Sequence, residues 1–157
     1  MINELTLGIS AIAFVFGAYT YYRDSRRKEK QDTLEAYCEL QKETLSKINK
    51  WLPSEIKKAT ENKRSEDYKE LSGYLAEIER FCVGINEGIY DFDTFYRLSH
   101  GYFDSNKGLL KPRLMPLLEV KLSNAKEDYF ENLHRVWEKM DKRSGLTVSP
   151  EGRFIDI

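Results

Sequence analysis

The chain has 157 residues, 41% of them hydrophobic and 32% charged, with a formal net charge of −1. That length suits one domain plus a short extra element, and the recurring Tyr, Phe, Leu and Ile exclude a disordered chain. Residues 31–157 hold 20 basic and 23 acidic side chains, which excludes a general nucleic-acid binder with a broad basic surface but leaves room for a local basic pocket.

From the N-terminus, Leu5 to Tyr22 is an 18-residue run without a charge. As a helix it is about 27 Å long, close to the thickness of a bilayer core. Arg23, Arg26, Arg27, Lys28 and Lys30 follow at once, beside Tyr19, Tyr21 and Tyr22. The order predicts a single transmembrane helix within residues 1–30, in the inner (plasma) membrane, with the C-terminal part cytoplasmic. A cleaved signal fits poorly, because its positive charge would precede the apolar core. The basic block itself suits anionic membrane lipid. Within the helix, Thr6, Ser10, Ala13, Gly17 and Thr20 recur at steps of four and three, with Asp24 near the same line, and fall in an arc of about 80°. Small and hydroxyl side chains on one line suit contact between helices, or the lining of a narrow pore with Asp24 at its mouth.

Residues 31–143 read as an all-α bundle. Leu34, Tyr37, Gln41, Leu45, Ile48 and Leu52 form the apolar line of a helix that stops at Pro53. Residues 54–64 read as a connection. Ser65, Glu66 and Asp67 are a helix start, and Tyr68, Leu71, Leu75, Ile78, Phe81, Cys82 and Ile85 give that helix one inward face. Gly88 is its stop, and Asp91 caps a next helix carrying Phe92, Phe95, Tyr96, Leu98 and Tyr102. Pro112 and Pro116 place a kink or a start in the segment 109–122. A last helix over 124–142 has Tyr129, Leu133, Val136, Trp137 and Met140 inward, and the tail 144–157 is a separate end piece. Cys38 and Cys82 have no metal or disulfide spacing and read as two small buried hydrophobes.

Chemistry is hard to find. There is no Gly-rich phosphate loop, no metalloprotease or nucleophile-elbow motif, and His100 and His134 stand alone, so an enzyme is the unfavoured class and no cofactor or metal is called for. One cluster mixes base and ring: Lys107, Lys111 and Arg113 follow His100, Tyr102 and Phe103. Such a set suits a nucleotide or short single-stranded DNA, with charge on the phosphate and rings on the bases.

The segment GYLAEIERFCVGINEGI over 73–89, followed by YDFDTFYRLSHGYF, resembles a bacterial single-span domain family of unknown function. Gly84, Asn86, Gly88, Ile89, Tyr90 and Asp91 carry the match. Such proteins are similar to the membrane effectors of the Hailong antiphage defence system. The resemblance implies a channel-forming homo-oligomer, controlled by an oligodeoxynucleotide that a partner nucleotidyltransferase makes. The alternative expectation is a membrane-anchored helical adaptor that binds a protein partner and forms no pore.

Overall fold

The computed structural model describes residues 2–104, 108–122, 130–145, 147–148 and 154–155; for 2–11, Leu122 and the last two pairs it describes backbone only. Helix α1 (Ile2–Leu40) runs into a π-helical stretch, Gln41–Leu45, and a final turn, α2 (Ser46–Ile48). Then come α3 (Pro53–Glu61), α4 (Glu66–Asn86), α5 (Phe92–Phe103), α6 (Leu110–Leu122) and α7 (Glu131–Arg143). Two two-residue strands close the described chain, with Thr147 opposite Ile155 and Val148 opposite Phe154 in antiparallel register.

The helix starts follow local chemistry. Pro53 supplies a preset φ at the head of α3, and the Glu55 carboxylate accepts from the Leu52 N–H at 2.7 Å. Ser65 Oγ accepts from the Tyr68 N–H at 3.1 Å and begins α4. Asp91 Oδ1 accepts from both the N–H and the hydroxyl of Thr94 and begins α5. The expected inward face of α4 is buried at all seven positions, as are Leu133, Val136, Trp137 and Met140 of α7. Helix α6 begins at Leu110, ahead of Pro112, and passes through Pro116. Pro116 has no N–H, so the Pro112 carbonyl loses its helical partner. Of the last expected helix, 124–129 lies outside the described residues.

Around α1 the inward line differs from the expected one. Leu34, Gln41 and Leu52 are exposed, while Thr33, Tyr37, Leu40, Leu45 and Ile48 are buried. Within the π-helical stretch, whose wider turn takes an extra residue, Thr44 and Leu45 are both buried, so the line through Tyr37 and Leu40 rejoins the expected one at Leu45 and Ile48. Tyr37 stands at the centre of an aromatic cluster, its ring 5.8 Å from Phe95, 6.2 Å from Phe81 and 6.4 Å from Phe103. Cys82 is buried, and burial pushes its thiol well up; Cys38 is exposed, contrary to the expectation for it.

The expected transmembrane helix and the plasma-membrane location drawn from it are corrected here. Among the described residues, no helix is long and apolar enough to cross a membrane. Tyr19, Thr20, Tyr21 and Tyr22 place four hydroxyls directly ahead of the basic block.

Candidate functional site

Two regions carry the residues singled out by sequence: the N-terminal half of α1, and the junction where α1, α2, α5 and α6 meet. Every described side chain of α1 from Ile12 to Lys28 is exposed, and the first buried one is Thr33. This part of α1 therefore stands clear of the bundle. Ala13, Gly17, Thr20 and Asp24 lie here, with open space where a Gly17 side chain would sit; the side chains of Thr6 and Ser10 lie outside the described residues. The larger residues Ile12, Phe14, Val15, Phe16, Tyr19, Tyr21 and Tyr22 are 60–79% exposed.

The basic block is open as well. Asp24 lies 3.6 Å from Arg23. Arg26 donates to the Tyr22 hydroxyl and pairs with Glu29, each at 3.2 Å. No bond or ion pair of Arg27, Lys28 or Lys30 is seen among the described residues, and all three are exposed.

At the junction, the six residues expected to form a ligand site separate. Phe103 is fully buried in the aromatic cluster. Arg113 donates to the Trp51 carbonyl at 2.8 Å and the Asn49 carbonyl at 3.4 Å, closing the end of α2. The Tyr102 hydroxyl donates to Asn49 Oδ1 at 2.8 Å. Burial pushes the Tyr102 phenol up, against the opposing pull of Arg113 and Asn49. His100 stacks on Tyr96 at 5.7 Å. Lys111 sits over the Trp137 ring, 5.4 Å from its centre, on the α6–α7 side. Lys107 lies outside the described residues. His100 and Tyr102 thus share one cleft, Arg113 and Tyr102 share Asn49, and Lys111 belongs to a different groove. Sequence reasoning missed Asn49, Gln41 and Tyr37, which line the same cleft as His100 and Tyr102. Tyr37 and Gln41 gave only the signal of the α1 apolar line, which reads as core, and Asn49 gave none.

A third feature is the corner between α4 and α5. Gly88 has φ +72°, and the Ile89 N–H donates to the Gly84 carbonyl at 2.9 Å, turning the chain back over the helix end. The Tyr90 ring then stacks on Phe81 at 5.2 Å. The Asp91 N–H donates to Thr33 Oγ1 at 2.7 Å, and the Thr33 hydroxyl donates to the Glu29 carbonyl. The stretch from Gly84 to Asp91 is therefore the clasp that ties α4 and α5 to α1. Burial pulls the Asp91 carboxyl up, but its bonds to Thr94 and the charges of Lys30 and Arg26 outweigh this and hold it below the usual range.

Taken as a class, this is a helical bundle from which one long helix stands out, with a glycine-built clasp at the point of departure. Residues 7–105 match the family described as a domain of unknown function (DUF4760), and the chain belongs to that family. The matched part holds the standing helix, the clasp and the α1–α5 cleft, while Lys111, Arg113, α6 and α7 lie beyond it. No curated protein and no solved structure matches the chain significantly.

Proposed function

We propose that the chain is a non-catalytic assembly module, in which the standing half of α1 is the contact by which copies associate and the bundle holds that helix and receives control. One observation carries this reading: the seven large apolar and aromatic side chains from Ile12 to Tyr22 that stand 60–79% exposed among the described residues. Ile12, Val15, Phe16, Tyr19 and Tyr22 share one side of the helix and Phe14 and Tyr21 the other, so apolar surface is open on both. Exposed apolar surface of that extent marks an association site. The small residues Ala13, Gly17 and Thr20 let a second helix approach closely. An oligomeric effector of phage defence, controlled by a nucleotide or short DNA strand from a nucleotidyltransferase, is the finer form of this reading. Its support is the sequence resemblance.

The test is the mass of the full chain in solution by light scattering, over a range of concentrations. The wild-type chain is expected as an oligomer, and the triple variant Phe14→Ser, Phe16→Ser, Tyr21→Ser as a monomer with an unchanged unfolding midpoint, since these side chains touch nothing in the bundle. A monomeric wild type, or a variant that assembles as the wild type does, refutes the proposal.

A further inference from the structure

The standing half of α1 is lopsided in charge. Residues 1–22 hold one charged side chain, Glu4, whereas residues 23–30 hold five basic and two acidic ones. All of the latter except Glu29 are exposed. Gly17 stands midway along the exposed stretch from Ile12 to Tyr22, with open space where a side chain would sit.

The helical repeat sorts these residues into faces. Ala13, Phe14, Gly17, Tyr21, Asp24 and Lys28 fall within an arc of about 100°. Phe14 and Tyr21, 77% and 79% exposed, follow one edge of that arc, and Ala13 lies at the other. Thr33, Tyr37 and Leu40, which meet the bundle, point roughly the opposite way, so a second helix laid on the Gly17 face is clear of its own bundle.

We propose that this face is covered by the same face of a second copy, laid antiparallel with the two Gly17 residues at the crossing. The inference rests on assembly through α1 and adds its direction. Charge decides between the two directions. In a parallel pair each residue meets its own copy, so Asp24 faces Asp24, Lys28 faces Lys28, and the two basic blocks run side by side. Packed helices lie about 8–10 Å apart, roughly one screening length, so that repulsion is felt. In an antiparallel pair centred on Gly17, position 24 comes opposite position 10 and position 28 opposite position 6, where the sequence has Ser10 and Thr6. Each basic block then runs beside residues 2–11 of the other copy, whose one charge is Glu4.

Shape agrees with charge. Antiparallel helices bring like edges together, so Phe14 of each copy meets Tyr21 of the other, and two-fold symmetry makes the aromatic contact twice. Gly17, without a side chain, lets the backbones come close at the centre.

The experiment places a spin label on the full chain at Arg27→Cys, an exposed position, with Cys38→Ser; Cys82 is buried and stays unlabelled. Position 27 is ten residues from Gly17, so antiparallel labels stand about 30 Å apart along the axis, while parallel ones are separated by little more than the 8–10 Å between helices. A dipolar distance of about 30–40 Å is expected. A second measurement mixes Phe14→Cys and Tyr21→Cys chains, each with Cys38→Ser, under oxidation. The disulfide between the two variants is expected, and Tyr21→Cys alone should form none. An assembled chain with labels closer than about 20 Å, or with no defined distance, overturns the direction but leaves assembly through α1 standing. So does a Tyr21→Cys chain that links to itself. A chain that is monomeric by light scattering refutes assembly, and this inference with it.

Discussion

A side chain added to Gly84 would meet the ring of Tyr90 at 2.4 Å. This glycine in the last turn of α4 is thus the space into which the ring folds back from beyond the helix end. The same ring stacks on Phe81, so it cannot swing away without opening the core behind it.

The first prediction follows from that contact. Gly84→Ala gains helix propensity of up to about 1 kcal/mol, yet forces an aromatic ring off a packed partner, and overpacking of this kind costs about 1–3 kcal/mol. The clash wins, and a lower urea midpoint at unchanged slope is expected. A midpoint equal to or above that of the wild type would show that the ring has somewhere else to go.

Glu79 gives the second. Its carboxylate, on α4, accepts from the Asn132 N–H at 3.0 Å, the Asn132 side-chain amide at 3.0 Å and the Leu133 N–H at 2.9 Å. It is the cap of α7, supplied from another helix. Glu79→Ala leaves two backbone donors without partners and is expected to cost about 2 kcal/mol. Hydrogen exchange at Asn132 and Leu133 should rise more than in α4; uniform acceleration would count against a local cap.

The clasp gives a pH dependence. The Asp91 carboxyl has a folded pKa below its unfolded value, so it contributes stability that is fully present above the unfolded value of about 3.9 and is lost as pH falls through the lower folded one. Asp91→Asn keeps an acceptor for Thr94 but removes the charge facing Lys30 and Arg26. The stability difference between the two proteins should be constant above pH 5 and shrink below pH 4. A difference that does not change with pH would mean that the charge of Asp91 contributes nothing.

The two cysteines differ in a way a thiol reagent can read. Cys38, exposed on α1, should react within the native protein, while Cys82, buried on α4 with its thiol pushed up by burial, should react only on unfolding. Two equally fast thiols in the folded chain would contradict the packing of α4.

Much of the fold was legible in sequence because it rests on local rules. Ser65 and Asp91 each satisfy helix N–H groups three residues ahead, and Gly88 supplies the left-handed turn after α4, so spacing alone located these ends. The α4 face was readable in full because an unbroken α-helix repeats faithfully. The register of α1 was not, since the π-helical stretch inserts a residue that no propensity signals. The candidate ligand set dispersed for a related reason. Arg113 reads as an anion binder, but the fold brings it to the carbonyls at the end of α2, where it closes a helix. Neighbours in sequence at a loop point in different directions, and only packing decides which of them meet.

By itself, then, the sequence determined most of the helices and their inward faces and the caps of α4 and α5, because those depend on periodicity and on bonds within a few residues; α3 (Pro53–Glu61), read as a connection, it did not. Only the tertiary structure decided that Glu79 caps a helix more than fifty residues away, that Thr33 clasps Asp91, and that Tyr37 meets Phe81, Phe95 and Phe103 in one aromatic cluster. It also changed the opening helix. Among the described residues no helix is long and apolar enough to cross a membrane, and the expected span is instead a helix whose side chains from Ile12 to Lys28 stand clear of the bundle. The physical reason is the same throughout: local rules fix what a segment forms, while its partners are set by distances that no local pattern encodes.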